Sequence, residues 1–279
     1  MFDYHRFFLD NGLEVIVHED SSSKIAVFNL LYKVGSRFEK PGKTGLAHFF
    51  EHLMFGSSAH VAEFDRELER VGGSCNAFTS PDITNYYMTL PSSNLETAFW
   101  LESDRMAHLS LTEKTIETQR KVVLEEYKQR YLSPPYGDVW HHLRRLTYEV
   151  HPYRWPTIGA NLADIEGYTR DMIWEFYQEH YHPGNAILVV AGDVTQKEVA
   201  RLAEKWFGPI PSKKKSSSPI LVEPVQIQKK SLEIQAKVPT DALYKVFKMP
   251  AKGELGYLEA DLISDLLGGG KSSPLEQRL

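Results

Sequence analysis

Alternating apolar and polar positions predict a β-hairpin at the start of the chain. One strand covers Leu13–His18, where Leu, Val and Val alternate with other residues, and an earlier strand covers His5–Leu9. Between them lies Asp10-Asn11-Gly12, and Asn-Gly favours a tight turn because both residues tolerate positive φ. A longer apolar run, Lys24–Val34, predicts a third strand in the interior of the sheet.

Helical spacing of apolar residues follows in several segments. The predicted helices are Gly45–Phe55, Ala62–Val71, Leu95–His108, Ser110 to about Tyr131, Tyr136–Thr147, Asp171–Tyr181 and Thr195–Trp206. Ser110-x-x-Glu113 is a capping box that would start the long helix. A strand pair is predicted over Ser74–Ser80 and Thr84–Leu90, and a further strand over Asn185–Gly192. This mixture predicts an α+β fold, with helices packed on one face of a mainly antiparallel sheet.

A polar stretch divides the chain. Residues 211–219 combine Pro, Lys and Ser, a composition typical of linkers. We therefore expect residues 1–210 to form one domain and residues 220–279 to begin a second, similar one. The pattern after the linker predicts two strands and a helix: Val225–Val238, Ala242–Met249 and Leu255–Leu267.

Composition excludes several classes of protein. The 279 residues are 42% hydrophobic, and 32 Lys and Arg stand against 37 Asp and Glu, a net charge of −5 that argues against nucleic-acid binding. The longest apolar runs, such as Ala186–Ala191, are too short to span a membrane. A single cysteine, Cys75, excludes an intrachain disulfide, and the N-terminus lacks a signal-peptide pattern. We therefore expect a cytoplasmic protein.

The candidate chemistry lies in His48-Phe49-Phe50-Glu51-His52. On a helix, His48, Glu51 and His52 share one face, so both imidazoles can reach one metal ion. The order inverts the His-Glu-x-x-His motif of many zinc peptidases. Glu51 is not needed as a ligand and is the natural general base for a zinc-bound water. The alternative is a polar helix face, but burying unpaired polar groups among the surrounding phenylalanines is costly.

A catalytic zinc usually has a third protein ligand, and the long helix offers Glu126. Glu126 follows Val122 by four positions and Val123 by three, which places it on the apolar stripe of the helix, whereas Glu125 points about 100° away. The alternative is that both glutamates are solvated. Gln119, two turns earlier on the same side, could support the site from behind the ligands.

These residues resemble the pitrilysin/insulinase family of inverted-motif zinc peptidases, and especially the branch of mitochondrial processing peptidase and bacterial processing-type peptidases. Further matching segments are Leu9–Leu13, Gly45–His48, Asn76–Thr79 with Thr84–Tyr86, Tyr131–Gly137, His182–Asn185, Val190–Asp193 and Gly268–Ser273. The resemblance covers essentially the whole chain.

The resemblance implies that His48, His52 and Glu126 bind one Zn²⁺ and that Glu51 is the base. Manganese and cobalt are alternatives for the same ligands. It also implies a tandem-duplicated fold and a substrate peptide that pairs as an extra strand with Ser74–Thr79. Asn76, Ala77 and Phe78 would then lie closest to the scissile bond. An ordinary edge strand is the alternative for this segment.

Two departures from the family pattern affect these expectations. Gln119 stands where many relatives have a second glutamate, and this chain stops at Leu279, whereas relatives continue through a complete second domain. We expect a piece of a longer protein whose cleft is closed by a missing C-terminal half or by a partner subunit, with a homodimer as another way to close it.

The function predicted from the sequence is a zinc endopeptidase that hydrolyses peptides or unfolded segments. The competing hypothesis is a non-catalytic peptide-binding or assembly subunit of a processing-peptidase-like complex. The presence of all three ligands and the base favours the enzyme, although the 279 residues alone would be a poor catalyst.

Overall fold

A six-stranded mixed sheet forms the centre of the first of two compact units, Met1–Gln235 and Ala236–Leu279. The structure, a computed structural model, describes residues 3–211, 213 and 221–278. The strands are β1 (His5–Phe8), β2 (Glu14–Glu19), β3 (Ile25–Tyr32), β4 (Ser74–Thr79), β5 (Thr84–Pro91) and β6 (Ala186–Gly192). Their order across the sheet is β1-β2-β6-β3-β5-β4, so β3 is interior, as its apolar run predicts, and β4 is an edge.

Five neighbouring pairs are formed, and four are antiparallel; the exception is β2 with β6. The predicted α+β class with a mainly antiparallel sheet is therefore confirmed. The parallel pair brings together segments far apart in the chain, and local periodicity carries no signal for such a pairing.

Ten α-helices are described. They are α1 (Leu46–Leu53), α2 (Phe64–Arg70), α3 (Leu95–His108), α4 (Glu113–Tyr127), α5 (Val139–Thr147), α6 (Leu162–Glu166), α7 (Arg170–His180), α8 (Gln196–Phe207), α9 (Tyr257–Gly268) and α10 (Pro274–Arg278). A π-helical turn over Lys128–Leu132 continues α4. In these residues the sequence-based helices differ from the observed ones mainly at their ends, and the two short helices α6 and α10 were not predicted.

Burial alternates along β3 in a way that shows which face the helices cover. Phe28 and Leu30 are fully buried, and the ring of Phe28 meets that of Phe99 on α3 with centroids 5.0 Å apart. Ala26 on the same face is also fully buried, whereas Ile25 and Val27 on the other face are 40% and 39% exposed. This period-two pattern is what a sheet with a core on one face requires.

A buried carboxylate and a glycine fix the start of α1. Glu39 accepts hydrogen bonds from the backbone N–H groups of Gly45 (2.7 Å) and Ala47 (2.9 Å), which satisfies two donors at the helix N-terminus. Gly45 has φ +94°, and a Cβ there would lie 2.5 Å from the carbonyl oxygen of Ile158. The helix therefore begins where a side chain could not fit.

The start of α4 differs from the prediction. Thr112, not Ser110, is the N-cap, and its hydroxyl accepts the N–H of Thr115 at 3.2 Å. The backbone N–H of Ser110 instead donates to the carbonyl of Ser57 at 3.0 Å, so a tertiary contact holds Ser110 outside the helix. The capping-box interpretation was wrong because two hydroxyl residues competed for one position and the sequence does not show the contact with Ser57.

No strand is present in the described residues 221–250, so the strands expected over Val225–Val238 and Ala242–Met249 are not formed. A β-strand needs a partner for its backbone groups, and this part of the structure provides none. The helix expected over Leu255–Leu267 is α9. Of the predicted linker, Ser212 and residues 214–219 lie outside the described residues.

Among the helices that the structure describes, none combines the length and the apolar character that a membrane crossing requires.

Candidate metal centre

The helix α1 presents both motif histidines toward one point. Phe49, Phe50 and Leu53 are buried in the core, which turns His48 and His52 to the opposite side of the helix. The two rings lie with centroids 4.8 Å apart and planes at 76°. The one-turn spacing in the sequence therefore produces the convergence that two ligands of one ion need.

The third predicted ligand, Glu126, lies on α4. Oε2 of Glu126 lies 3.2 Å from Nε2 of His52 and 3.6 Å from Nε2 of His48. One ligand atom from each of the three residues lies within 4.8 Å of the others, and no other such group of three occurs within residues 3–211, 213 and 221–278. The structure thus brings His48, His52 and Glu126 together.

The neighbouring glutamate points elsewhere. The Glu125 side chain is 60% exposed and pairs with Lys128 at 2.6 Å, whereas that of Glu126 is 18% exposed. Val123 and Tyr127 on the same helix are buried, but Val122 is 46% exposed and lies outside the stripe. Glu126 therefore lies on the more buried side of α4, as its helical phase predicts, although Val122, one of the residues used to define the apolar stripe, is not in the core.

Burial and charge shape the protonation of the cluster. Burial lowers the pKa of His48 to about 4, against the opposing attraction of Glu126. The pKa of Glu126 lies below its ordinary value because His52 hydrogen-bonds to it. Arg130 contacts the second oxygen of Glu126 at 3.2 Å. The cluster therefore favours a neutral imidazole and an ionised carboxylate, which are the forms that bind metals.

The chemistry of the donor set fits zinc. Two imidazole nitrogens and one carboxylate oxygen are a common set in catalytic zinc sites. Nδ1 of His48 is buried, and among the described residues it has no hydrogen-bond partner. Nε2 of the same ring lies 3.6 Å from Oε2 of Glu126 and is the nitrogen turned toward that carboxylate. A cation between these groups would offset the cost of burying His48 and Glu126 together.

The predicted base Glu51 lies on the same helix turn but outside the cluster. Its Oε2 accepts a hydrogen bond from the Thr79 hydroxyl at 2.5 Å. The adjoining Tyr86 hydroxyl donates to the carbonyl of Phe50 at 3.3 Å and so holds the backbone beside Glu51. The Glu51 carboxylate therefore lies on the same helix turn as the candidate histidine ligands and is hydrogen-bonded to Thr79 of β4.

The predicted substrate residues lie on β4, the edge strand. Asn76, Ala77 and Phe78 pair with Tyr87, Tyr86 and Asn85 of β5, respectively. Within β4, Asn76 and Phe78 are exposed, and Ala77 is half-buried toward the helices. An edge strand offers unpaired backbone groups to an added strand, so the geometry permits the expected pairing.

A cavity of about 340 Å³ adjoins the first residues of β4. Phe55 and Leu68 give it apolar walls, and Asp65 and Glu69 add carboxylates beside Ser74–Asn76. It is large enough for a side chain of a peptide that extends the sheet.

Gln119 is not part of the cluster. It is half-buried on α4, two turns before Glu126, and within the described part of the chain its side chain makes no hydrogen bond. Its supporting role remains a prediction.

Three residues near the centre were missed by the sequence analysis. Glu39 caps α1, Thr79 binds Glu51, and Arg130 pairs with Glu126. Only Arg130 had a local signal, because it lies one helical turn after Glu126. The contacts of Glu39 and Thr79 depend on the tertiary arrangement.

Known proteins resemble this chain in both sequence and structure. The chain is 35% identical over 277 residues to a protein of Helicobacter pylori named zinc protease PqqE, covering 97% of this chain and 62% of that relative. It is 28% identical over 215 residues to the probable mitochondrial-processing peptidase subunit beta of Arabidopsis thaliana, covering 76% and 40%, respectively. The chain therefore spans less than two thirds of the length of these curated relatives.

The crystal structure of a protease from Helicobacter pylori superimposes with a TM-score of 0.87 and 33% identity, covering 100% of this chain and 68% of that one. Residues 167–279 match the family described as Peptidase M16 inactive domain. Residues 14–160, which contain all four motif residues, match the family described as Insulinase (Peptidase family M16). The chain belongs to the insulinase family of peptidases, M16.

Proposed function

We propose that this chain carries the zinc-binding, catalytic part of an endopeptidase that hydrolyses peptides or unfolded segments. The observation that carries the proposal is the convergence of His48, His52 and Glu126, with Glu51 on the same helix turn. The names of the relatives, zinc proteases and processing-peptidase subunits, give further support.

Each residue has a distinct task in this mechanism. His48, His52 and Glu126 would hold the ion. A zinc ion held there supplies Lewis acidity, which polarises a carbonyl and lowers the pKa of water to about 7. Glu51 accepts the proton of the attacking water and later donates it to the leaving amine. These are the roles of a ligand set and a general base placed side by side.

Substrate would bind by extending the sheet at β4. Main-chain hydrogen bonds to those backbone groups of Asn76–Phe78 that face away from β5 would supply affinity independent of sequence, and the cavity beside Phe55 would add side-chain preference. An extended peptide is required for this pairing, which favours unfolded segments over folded proteins.

The whole protein is proposed to contain more of the cleft than these 279 residues. The chain spans 62% of the length of one relative and 40% of another. We propose that residues 1–210 form the zinc-bearing domain and that residues after 220 begin a second one. The remainder of a longer chain, or a partner subunit, would then close the cleft and exclude water from the reaction.

Reconstitution tests the proposal. The metal-free protein is loaded with zinc, metal content is measured by elemental analysis, and cleavage of an unstructured, internally quenched peptide is followed by fluorescence. The 279-residue chain and the longer protein are compared at equal zinc occupancy. We expect one zinc per chain, and faster turnover by the longer protein.

Two results would contradict the proposal. Stoichiometric zinc without cleavage by either protein would identify a non-catalytic peptide-binding or assembly subunit. Equal turnover by both proteins would show that no closing half is needed.

A further inference from the structure

Thr79 connects the edge strand to the general base. It is the last residue of β4, and its side chain lies on the half-buried row with Cys75 and Ala77, the row that faces the helices. Its hydroxyl donates to Oε2 of Glu51 at 2.5 Å. In the part of the chain that the structure describes, this is the only hydrogen bond to the Glu51 carboxylate.

The turn after Thr79 is held by several contacts. The Ser80 hydroxyl accepts the backbone N–H groups of Asp82 and Ile83 at 3.1 and 3.0 Å. The N–H of Arg37 donates to the carbonyl of Pro81 at 2.9 Å, and its guanidinium contacts Asp82 at 2.9 Å. These contacts hold the backbone at the end of β4, next to Thr79, in one position.

Close backbone packing strengthens this anchoring. The N–H of Ser36 donates to the carbonyl of Ser80 at 3.3 Å. At Gly35, a Cβ would lie 2.3 Å from that same carbonyl oxygen, so the two backbones are in direct contact. The backbone of Thr79 therefore has little freedom to move. Since Thr79 is held in place, its hydrogen bond orients the Glu51 side chain and not the reverse.

We propose that Thr79 is the positioning residue for Glu51. Its hydroxyl donates a hydrogen bond to Oε2 of Glu51, and Oε1 of the same carboxylate then remains to accept and donate the proton. Since Thr79 also belongs to the strand that would pair with substrate, it holds the base in a set position relative to the bound peptide. The inference rests on the proposed function of Glu51 and goes beyond it by adding the group that orients the base.

Three variants of the full-length protein test this assignment. Thr79→Val keeps the shape of the side chain and removes the hydroxyl, whereas Thr79→Ser keeps the hydroxyl. Thr89→Val is the matched control, because Thr89 lies on β5 opposite Ser74, at the other end of the same strand pair. Each is assayed for kcat, KM and zinc content with the quenched peptide.

We expect Thr79→Val to lower kcat by about 10- to 100-fold, which corresponds to losing one hydrogen bond to a charged group. KM and zinc content should change by less than about threefold, since neither substrate pairing nor the ligands are altered. Thr79→Ser should recover kcat to within about threefold, and Thr89→Val should match the wild type. An unchanged kcat in Thr79→Val, a loss confined to KM, or failure of Thr79→Ser to recover activity would each overturn the assignment.

A stability measurement on the metal-free protein separates this inference from the proposed function. The shifts in melting temperature caused by Thr79→Val and Glu51→Ala should not add in the double variant, because both remove the same hydrogen bond. Additive shifts would show that the contact carries no energy and would overturn the inference. If the shifts are coupled but the wild type cleaves no peptide with zinc bound, the contact stands and the proposed function fails.

Discussion

Oε2 of Glu126, on α4, lies 3.2 Å from Nε2 of His52, on α1. The two helices pack against each other, so the candidate ligands come together only when both helices are in place. Arg130 holds the other oxygen of Glu126 at 3.2 Å and limits the rotation of its side chain. The candidate site is therefore a property of the folded domain and not of the short motif on α1.

Substitution of Glu126 should remove the metal, whereas substitution of its neighbour should not. Glu126→Gln deletes a charged ligand and should weaken zinc binding by at least about 100-fold, more than the usual effect of a residue that only supports a ligand. Glu125→Gln is the matched control, because the Glu125 side chain is 60% exposed and points to Lys128. Competition with a chelator measures both affinities. Equal losses in the two variants would contradict the assignment of Glu126.

Glu51→Gln should separate metal binding from chemistry. The amide cannot accept a proton, so peptide cleavage should fall by roughly two orders of magnitude or more. Zinc content should stay near that of the wild type, since Glu51 lies outside the ligand cluster. Elemental analysis beside the activity assay checks both. Loss of zinc from this variant would mean that Glu51 is itself a ligand.

Zinc should stabilise the fold by linking α1 and α4. A ligand at 100 times its dissociation constant adds about 2.7 kcal/mol to the free energy of unfolding, which corresponds to a rise in Tm of about 5–10 °C for a chain of this size. Differential scanning fluorimetry with and without zinc measures the rise. His48→Ala is the control and should remove it. A rise that persists in His48→Ala would place the stabilising metal elsewhere.

Much of this site could be predicted because its signals are local. His48, Glu51 and His52 lie within one helical turn, and Glu126 could be distinguished from Glu125 by helical phase alone. The family resemblance drawn from these residues is confirmed. The contact of Thr79 with Glu51 could not be predicted, because it depends on how β4 lies against α1.

The sequence-based predictions of local structure that were wrong share one physical cause. Ser110 had the right sequence for a capping box, but its N–H is taken by the carbonyl of Ser57. Residues 225–238 alternate like a strand, yet a strand also needs a partner, and none is present in the described residues. Periodicity states what a segment can form, whereas the contacts with distant residues decide what it does form.

Acidification should destabilise the fold through His180, a buried histidine remote from the motif in sequence. It is 3% exposed between Phe38 and Phe176, and burial lowers its pKa to about 4. In the unfolded chain it titrates near 6.5, so below that pH the unfolded state binds the proton first. The free energy of unfolding should therefore fall between about pH 6.5 and 4, by up to about 3 kcal/mol.

Urea unfolding at several pH values tests this dependence. His180→Phe removes the titrating group, and its stability should fall less steeply over this range than that of the wild type. His5→Asn changes an exposed histidine on β1 and serves as the control, with the wild-type slope expected. Identical slopes for wild type and His180→Phe would exclude His180 as the source.

The buried pair of Arg105 and Glu102 beneath α1 should be among the most sensitive positions in the fold. Their side chains are 2% and 0% exposed, and the guanidinium lies 4.3 Å from the ring centre of Phe64 and 4.4 Å from that of Tyr86. Arg105 also donates to the carbonyl of Met54 at 3.2 Å, next to the end of α1. Glu102→Gln leaves a buried cation without its counter-charge, which should cost about 3–5 kcal/mol.

The matched experiment removes both charges together. The double variant Arg105→Met with Glu102→Leu should be closer to the wild type than Glu102→Gln, because an apolar pair of similar volume needs no charge compensation. The free energy of unfolding in urea measures the three proteins, and zinc affinity reports whether α1 keeps its position. A double variant less stable than Glu102→Gln would show that the hydrogen bond from Arg105 to Met54, and not the charge pair, is what holds the C-terminal end of α1.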